Sequence, residues 1–240
     1  MLPRFHVPDL DTAREAALPP EEARHLTRVL RLGDGDEIAV FDGRGHEFHA
    51  RVIEADRERV RVALLGPIAA APEAHTPLTL VQAILKGDKM DEVVRDATMM
   101  GVATIAPVVS ARTIAKRQTV ERWERVAVSS TKQCRRAVVP AVTPVMTIEA
   151  WLAATDIDMK LLLVEPAAAG GQEQSINALR GRTPRSVAVI VGPEGGWTAG
   201  ERDTMIAAGC LPATLGPLTL RADAVPLVAI ALVRFALNDL

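Results

Sequence analysis

The residues with the clearest chemical potential are Gly192-Pro193-Glu194-Gly195-Gly196-Trp197-Thr198, which follow the apolar run Val187-Ala188-Val189-Ile190-Val191. Glycine lets a backbone take positive φ and approach a ligand closely, while Pro193 stiffens the turn. Glu194 offers a carboxylate to a hydroxyl or an amine. The preceding run reads as a strand covered on both faces, and loops at the carboxyl edge of such a parallel sheet bind ligands. Thr198 and Glu201 have the spacing of a capping box, so a helix starts there. The pattern is not GxGxxG and has no GKS/T lysine, which argues against a dinucleotide or a triphosphate. A tight turn without a ligand has the same local pattern. A second irregular segment, Leu215-Gly216-Pro217-Leu218-Thr219-Leu220-Arg221-Ala222-Asp223, precedes an apolar helix expected at 225–237.

Histidine is not a base for this region, because His6, His25, His46, His49 and His75 all lie before residue 76. His46 and His49 lack the HExxH spacing and sit in a strand-like stretch, so no metal is expected. Cys134 and Cys210 are far apart, with no CxxC, and read as reduced thiols.

The net charge of −2 excludes a uniformly basic nucleic-acid binder, but the distribution is uneven. Between Arg112 and Arg136 lie eight basic residues (Arg112, Lys116, Arg117, Arg122, Arg125, Lys132, Arg135, Arg136) against Glu121 and Glu124, a local balance of +6. A second basic stripe, Arg24, Arg28 and Arg31, occupies one face of a helix opened by Pro19-Pro20-Glu21-Glu22. Its Ala23, Leu26, Val29 and Leu30 recur at helical spacing on another face. Both stripes fit phosphate contact or a solvated helix face.

The elements that position these groups fall into two sections. The segment 36–53 reads as a hairpin turning at Asp42-Gly43, and 60–65 continues the β pattern, giving a small barrel with one short helix. The boundary falls in the Ala/Pro-rich stretch 66–77. Beyond it come a strand at 78–85, a helix with Met90, Val93, Val94, Ala97 and Met100 inward and closed by Gly101, and a strand at 103–109. A basic helix at 120–136 and strands at 160–165 and 187–191 follow, an α/β pattern with a parallel sheet. With 240 residues, 48% hydrophobic and 24% charged, the chain supports two cores. It lacks a spanning apolar run and a signal-peptide core, so a cytoplasmic location is expected.

Together, GPEGGW, LGPLTLRADAV and Leu85-Lys86-Gly87-Asp88-Lys89-Met90, with Arg-His-Leu-x-x-Val-Leu-Arg at 24–31, resemble the RsmE group of SPOUT methyltransferases. The resemblance spans nearly the whole chain. It implies methylation of uridine N3 in 16S ribosomal RNA of the small ribosomal subunit, with S-adenosylmethionine as donor and S-adenosylhomocysteine as product. It also implies a PUA-like RNA-binding β-barrel over 1–70, a SPOUT domain with a C-terminal trefoil knot over 71–240, and a homodimer that includes the final helix.

On that resemblance the donor is expected among Leu163, Glu165, Pro166, Val191, Gly192, Pro193, Glu194, Gly195, Gly196, Leu215, Gly216 and Leu220. RNA contacts are expected from Arg24, Arg28, Arg31, Lys86, Lys89, Lys132, Gln133, Arg135 and Arg136. Attack by N3 needs in-line placement and loss of the imide proton. Arg221 is expected to stabilise the developing anion, and Asp223 or water to accept the proton. Two departures stand out. Cys134 and Arg135 replace the Ser-Gly of a usual Gln-Ser-Gly-Arg, and Arg221-Ala-Asp-Ala-Val-Pro replaces Arg-x-Glu-Thr-Ala. Two other readings fit the residues: a non-catalytic RNA-binding or ribosome-assembly protein that keeps the fold, and an α/β enzyme for a small nucleotide-like ligand. With no tyrosine and 3% aromatic residues, an RRM-like stacking platform is disfavoured.

Overall fold

The computed structural model describes residues 2–10, 14–56, 59–113, 119–166 and 174–239, with the side chains of Gln174 and Ser175 excepted. Lys116 and Arg117 of the basic cluster lie outside the described residues. The chain divides into two compact units, Met1–Glu73 with Val128–Val139, and Ala74–Ala127 with Pro140–Leu240.

The first unit is a curled five-stranded sheet of β1 (Arg4–His6), β2 (Glu15–Ala17), β3 (Glu37–Phe41), β4 (Glu47–Ala55) and β5 (Val60–Ile68), in the order β1-β3-β4-β5-β2. Its pairings are antiparallel except that β1 runs parallel to β3. Alternate residues of β3, β4 and β5 turn Ile38, Val40, Ala50, Val52, Val60 and Val62 into one core with Phe5 and Leu26. The expected hairpin forms. Asp42 fixes its turn by accepting from the backbone N–H of Arg44 (2.7 Å) and of His46 (3.1 Å). Strand β5 runs on through Gly66-Pro67-Ile68, with Pro67 opposite Phe48, so the start of the expected boundary stretch is strand.

The short helix departs from expectation. α1 (Pro20–Arg24) begins with proline in its first turn, where the missing N–H costs nothing, but it widens into a π-helical turn over His25–Leu30. Arg31 ends the turn in the left-handed region (φ 56°), and its N–H bonds to the Leu26 carbonyl. Widening rotates the later residues outward. Ala23 and Leu26 are buried, whereas Val29 is 66% and Leu30 40% exposed, so the four residues at helical spacing do not share one buried face.

Residues 128–139 also belong to this unit, and a buried guanidinium holds them. Arg4 bonds Glu47 through two atoms (2.8 and 3.0 Å) and donates to the carbonyls of Thr131 (2.9 Å), Lys132 (3.0 Å) and Arg136 (2.7 Å). The Thr131 and Lys132 carbonyls belong to the last turn of α3 (Val120–Cys134), whose carbonyls helix geometry leaves without intrahelical partners, and Arg136 follows just beyond it. Arg135, at φ 68°, takes the left-handed position that glycine usually fills at a helix end.

In the second unit all pairings are parallel. The strands are β6 (Leu78–Ala83), β7 (Thr104–Val109), β8 (Ala141–Val142), β9 (Met146–Thr147), β10 (Met159–Leu163), β11 (Gln174–Ser175), β12 (Val187–Val191) and β13 (Leu211–Thr214). Their order is β11-β13-β10-β12-β6-β7-β8, with β9 beside β7. β12 is central and buried along its whole length, as its apolar run requires. The helices are α2 (Lys89–Met99), α4 (Ile148–Ala154), α5 (Ala199–Ala207) and α6 (Val225–Ala236), besides the first part of α3. α6 turns Ala229, Ile230 and Val233 inward and leaves Leu227, Val228, Leu232 and Phe235 exposed. Its Arg234, 2% exposed, donates to Thr76 O, Gly101 O and the Asp239 carboxylate at 2.7, 2.7 and 2.8 Å.

Candidate active site

Parallel strands end at one edge, and at that edge β10 and β12 deliver two of the loops singled out by sequence. The third, between β13 and α6, closes on them. Together they wall a cavity of about 320 Å³. Leu163, Glu165 and Pro166 come from the end of β10, and Val191, Gly192, Pro193 and Glu194 from the end of β12. Leu215, Leu220, Arg221 and Asp223 come from the third loop. Leu163 and Val191 are almost fully buried, so the cavity is apolar at depth and polar at its mouth.

The mouth is organised by charge. Lys89, at the start of α2, places its ammonium 3.7 Å from Glu194 and 3.6 Å from Asp223. Glu194 also accepts from the Lys86 backbone N–H at 3.0 Å. Arg221 is 74% exposed, and its Nε lies 3.3 Å from Asp223. Burial pushes the Asp223 carboxyl up, but its own backbone N–H and the Arg221 and Lys89 charges outweigh burial and hold it below the usual range. Asp223 is therefore an ionised acceptor of low basicity, flanked by two cations.

The glycine loop is held from beneath. Gly196 takes φ 67°, and its N–H bonds to Pro193 O at 2.9 Å. At Gly192 an added Cβ would lie 3.1 Å from the Trp197 indole nitrogen, so a side chain there would require the ring to give by a few tenths of an ångström. Trp197 is 5% exposed and belongs to the core of this unit. The capping box is complete: Thr198 accepts from Glu201 N–H (3.2 Å), and Glu201 accepts from Thr198 N–H (2.8 Å). Glu201 also accepts from Ala111 N–H at 2.7 Å, while Arg112 donates to Gly195 O at 2.7 Å. The turn after β7 thus braces the glycine loop at two points.

Not every expected donor-binding residue lines the main cavity. Gly195 and Gly196 line a smaller adjoining cavity of about 120 Å³ with Arg112 and Arg202, and Gly216 lines neither. Of the expected RNA contacts, Arg24, Arg28, Arg31, Lys86, Gln133 and Arg135 are exposed. Lys89 instead lines the main cavity. Lys132 and Arg136 turn inward: Lys132 pairs with the buried Glu22 at 2.8 Å and Arg136 with the partly exposed Glu73 at 2.6 Å, each cation drawn in by its carboxylate. The sequence reading missed the place of Lys89 in the cavity, together with Val225 of its lining. Proximity of the Lys86–Lys89 segment to the glycine loop follows from β6 lying beside β12, which no local pattern announces.

Among the described residues no helix is long and apolar enough to cross a membrane. No group of three or more His, Cys, Asp or Glu side chains among them is placed to hold a metal ion.

A family model for an RNA methyltransferase domain matches residues 72–234, and one for an RNA methyltransferase PUA domain matches residues 18–65. Ribosomal RNA small subunit methyltransferase E of Synechocystis sp. is 30% identical over 224 residues, covering 92% of this chain and 73% of that protein. The crystal structure of a ribosomal RNA small subunit methyltransferase E from Neisseria gonorrhoeae, bound to S-adenosyl methionine, superposes with a TM-score of 0.89 at 31% identity, covering 98% of each chain. A putative methyltransferase from Legionella pneumophila, in complex with the same cofactor, gives 0.88 at 25% identity and again 98% of each chain. By the family models over both sections and by this full-length likeness, the chain belongs to the ribosomal RNA small subunit methyltransferase E family.

Proposed function

We propose that this protein methylates N3 of a uridine in 16S ribosomal RNA of the small ribosomal subunit, with S-adenosylmethionine as donor. The observation that carries the reading is the three-loop cavity with Arg221 and Asp223 at its mouth, in a chain of this family. The lining fits the donor. Leu163, Val191, Leu215, Leu220 and Val225 offer apolar surface to a purine, while the Glu165 and Glu194 carboxylates offer acceptors to ribose hydroxyls or an ammonium. A volume of about 320 Å³ is at the small end for such sites, and the cavity opens further at its mouth.

Bound there, the donor supplies an electrophilic methyl group on a cationic sulfur. The chain's own residues do the rest. Arg221, exposed beside the cavity, offers a permanent positive charge to the imide anion that forms as N3 loses its proton. Asp223 is ionised at neutral pH and accepts that proton directly or through water, its low basicity compensated by the neighbouring anion stabilisation. Lys89 holds Glu194 and Asp223 toward each other and so ties the glycine loop to the third loop. Ala224 takes the place of a hydroxyl usual in the family, and the arrangement of Arg221, Asp223 and Lys89 does not depend on it.

The same proposal assigns RNA binding to a PUA-like section over residues 1–70 and donor binding to residues 71–240, whose C-terminal part is knotted. It also makes the protein a cytoplasmic homodimer. The apolar face of α6, with Leu227, Leu232 and Phe235 exposed, supports that last step.

The test is transfer of a labelled methyl group to small subunits lacking the modification, with the modified nucleoside identified by mass spectrometry. N3-methyluridine at one position is the expected product. Arg221→Ala is expected to lower turnover at least a hundredfold with donor affinity retained. Donor and subunit binding without any transfer would favour the non-catalytic reading, and full activity in Arg221→Ala would remove that residue's role.

A further inference from the structure

The π-helical turn of the first unit leaves two branched apolar side chains in solvent. Val29 is 66% and Leu30 40% exposed, although ordinary helical winding would carry them toward Leu26, which is fully buried. π-helical turns are rare and concentrate at functional sites, because the alternative α-helix has better hydrogen-bond geometry. This one ends with Arg31 in the left-handed region, a position that also disfavours a residue with a side chain. Two costs are thus borne on seven residues, His25 to Arg31, and their joint outcome is an exposed apolar pair.

That pair is framed by cations. Arg24, Arg28 and Arg31 are all exposed, and none makes a side-chain ion pair or hydrogen bond among the described residues. Glu22, the nearest acid of α1 facing inward, is taken up by Lys132 at 2.8 Å. Beside the turn lies a shallow depression lined by Thr27, Arg28, Leu32, Gly33, Ala55 and Asp56.

Resting on the RNA-methyltransferase reading above, we infer that Val29 and Leu30 form an apolar contact for an unpaired base of the substrate RNA, with Arg28 and Arg31 on the flanking phosphates. Charge complementarity selects the occupant. Three unpaired guanidiniums suit a polyanion, and an unstacked base is the part of RNA that offers an apolar face. Leucine and isoleucine side chains contact base faces as wedges between base steps of DNA, so an aromatic ring is not needed for apolar contact with a base. An A-form duplex presents no such face and would meet the arginines alone.

The experiment uses the full chain and two fluorescein-labelled RNAs, a short poly-uridine strand and a blunt-ended, fully paired duplex, titrated at several salt concentrations. For Val29→Ser/Leu30→Ser, affinity for the single strand is expected to fall about tenfold with the salt slope unchanged, because no charge is removed, while duplex affinity holds. For Arg28→Gln/Arg31→Gln, both RNAs weaken, and the slope of log K against log salt for the single strand falls by about 1.4, two phosphates at 0.7 each. Val29→Thr, nearly the same shape with a hydroxyl, is expected to fall between the serine pair and the parent. Unchanged single-strand affinity in the serine pair overturns the inference. Equal loss on both RNAs, or parent protein that binds neither, does the same. A change in sedimenting mass with RNA affinity intact would assign the patch to contact between protein chains and also overturn it. Failure of the methyl-transfer reading is separate: parent protein that binds the strand through Val29 and Leu30 but transfers no methyl group leaves this contact standing.

Discussion

Glu201→Gln tests how the glycine loop is braced. The carboxylate is 8% exposed and accepts three short hydrogen bonds, from Ala111 N–H and Thr198 hydroxyl at 2.7 Å each and from Thr198 N–H at 2.8 Å. Glutamine has the same shape but one acceptor oxygen, so its NH₂ must face at least one of these donors. Hydrogen bonds to a charged acceptor contribute about 1.5–3 kcal/mol and neutral ones about 1, so the substitution should cost about 2–4 kcal/mol at neutral pH. The readout is urea unfolding by tryptophan fluorescence, since Trp123, Trp151 and Trp197 all lie in the second unit. With a slope of about 2 kcal/mol per molar urea, the midpoint should fall by about 1–2 M. The pH dependence has a definite sign. Burial pushes the Glu201 carboxyl up, but the N–H donors of Ala111 and Thr198 and the Thr198 hydroxyl, with the Arg112 charge, hold it below its ordinary value. A depressed carboxylate contributes stability that is fully present above the ordinary carboxyl pKa and is lost as pH falls through the lowered one. The gap between parent and Glu201→Gln should therefore be full at pH 7.5 and shrink steadily below pH 4.5. A midpoint within about 0.25 M of the parent at pH 7.5, or a loss of equal size at both pH values, would refute the bracing argument.

Arg4→Met strands the Glu47 carboxylate and the carbonyls of Thr131, Lys132 and Arg136, and should cost about 3–5 kcal/mol in circular-dichroism unfolding. Adding Glu47→Leu should restore part of that loss, and no recovery would show that the pair is not coupled. Asp239→Asn removes the carboxylate charge that pairs with the buried Arg234 guanidinium at 2.8 Å, and should cost about 2–4 kcal/mol at neutral pH by the same fluorescence assay. Its effect should also fade in acid, because burial pushes the Asp239 carboxyl up while Thr76 N–H, His75 N–H and Arg234 hold it low. Burial pushes the Cys210 thiol up to about 11, so a thiol reagent at pH 8 should titrate Cys134 alone in the folded protein and both cysteines in urea. Gly192→Ala should weaken donor binding about tenfold, or 1.4 kcal/mol by calorimetry, because its Cβ meets the indole of Trp197 at 3.1 Å.

The parts of this molecule that could be read from sequence are those whose cause is local. The Val187–Val191 strand is apolar throughout and lies at the centre of the sheet, and the Thr198–Glu201 capping box forms both of its bonds. The Asp42-Gly43 turn and the α2 stripe closed by Gly101 form for equally local reasons. What could not be read depends on partners far along the chain. Lys132 and Arg136 look like surface cations until Glu22 and Glu73 are found beside them. Lys89 looks like one more basic residue until the pairing of β6 with β12 brings it to Glu194. The short strands β8, β9 and β11 carry too few residues for any periodicity, and β13, with a proline within it, looks like a turn. Val29 and Leu30 failed for another reason: the spacing was right for an α-helix, and the backbone chose a wider one.

The sheet that carries the cavity has a kinetic consequence. In the first unit β3, β4 and β5 are neighbours in sequence and in space, so their pairing closes only short loops. In the second, Leu78 pairs with Val187 and Leu161 with Leu211, so long loops must close before the central strand β12 gains β6 and before β10 gains β13. Such parallel pairings form slowly, and apolar strands waiting for them are prone to join other chains. The Val187–Val191 run, fully covered in the finished protein, is in the unfolded chain an uncharged β-prone segment without a proline. Refolding at low protein concentration should therefore recover far more of the second unit than refolding at high concentration, with the losses traced to this segment.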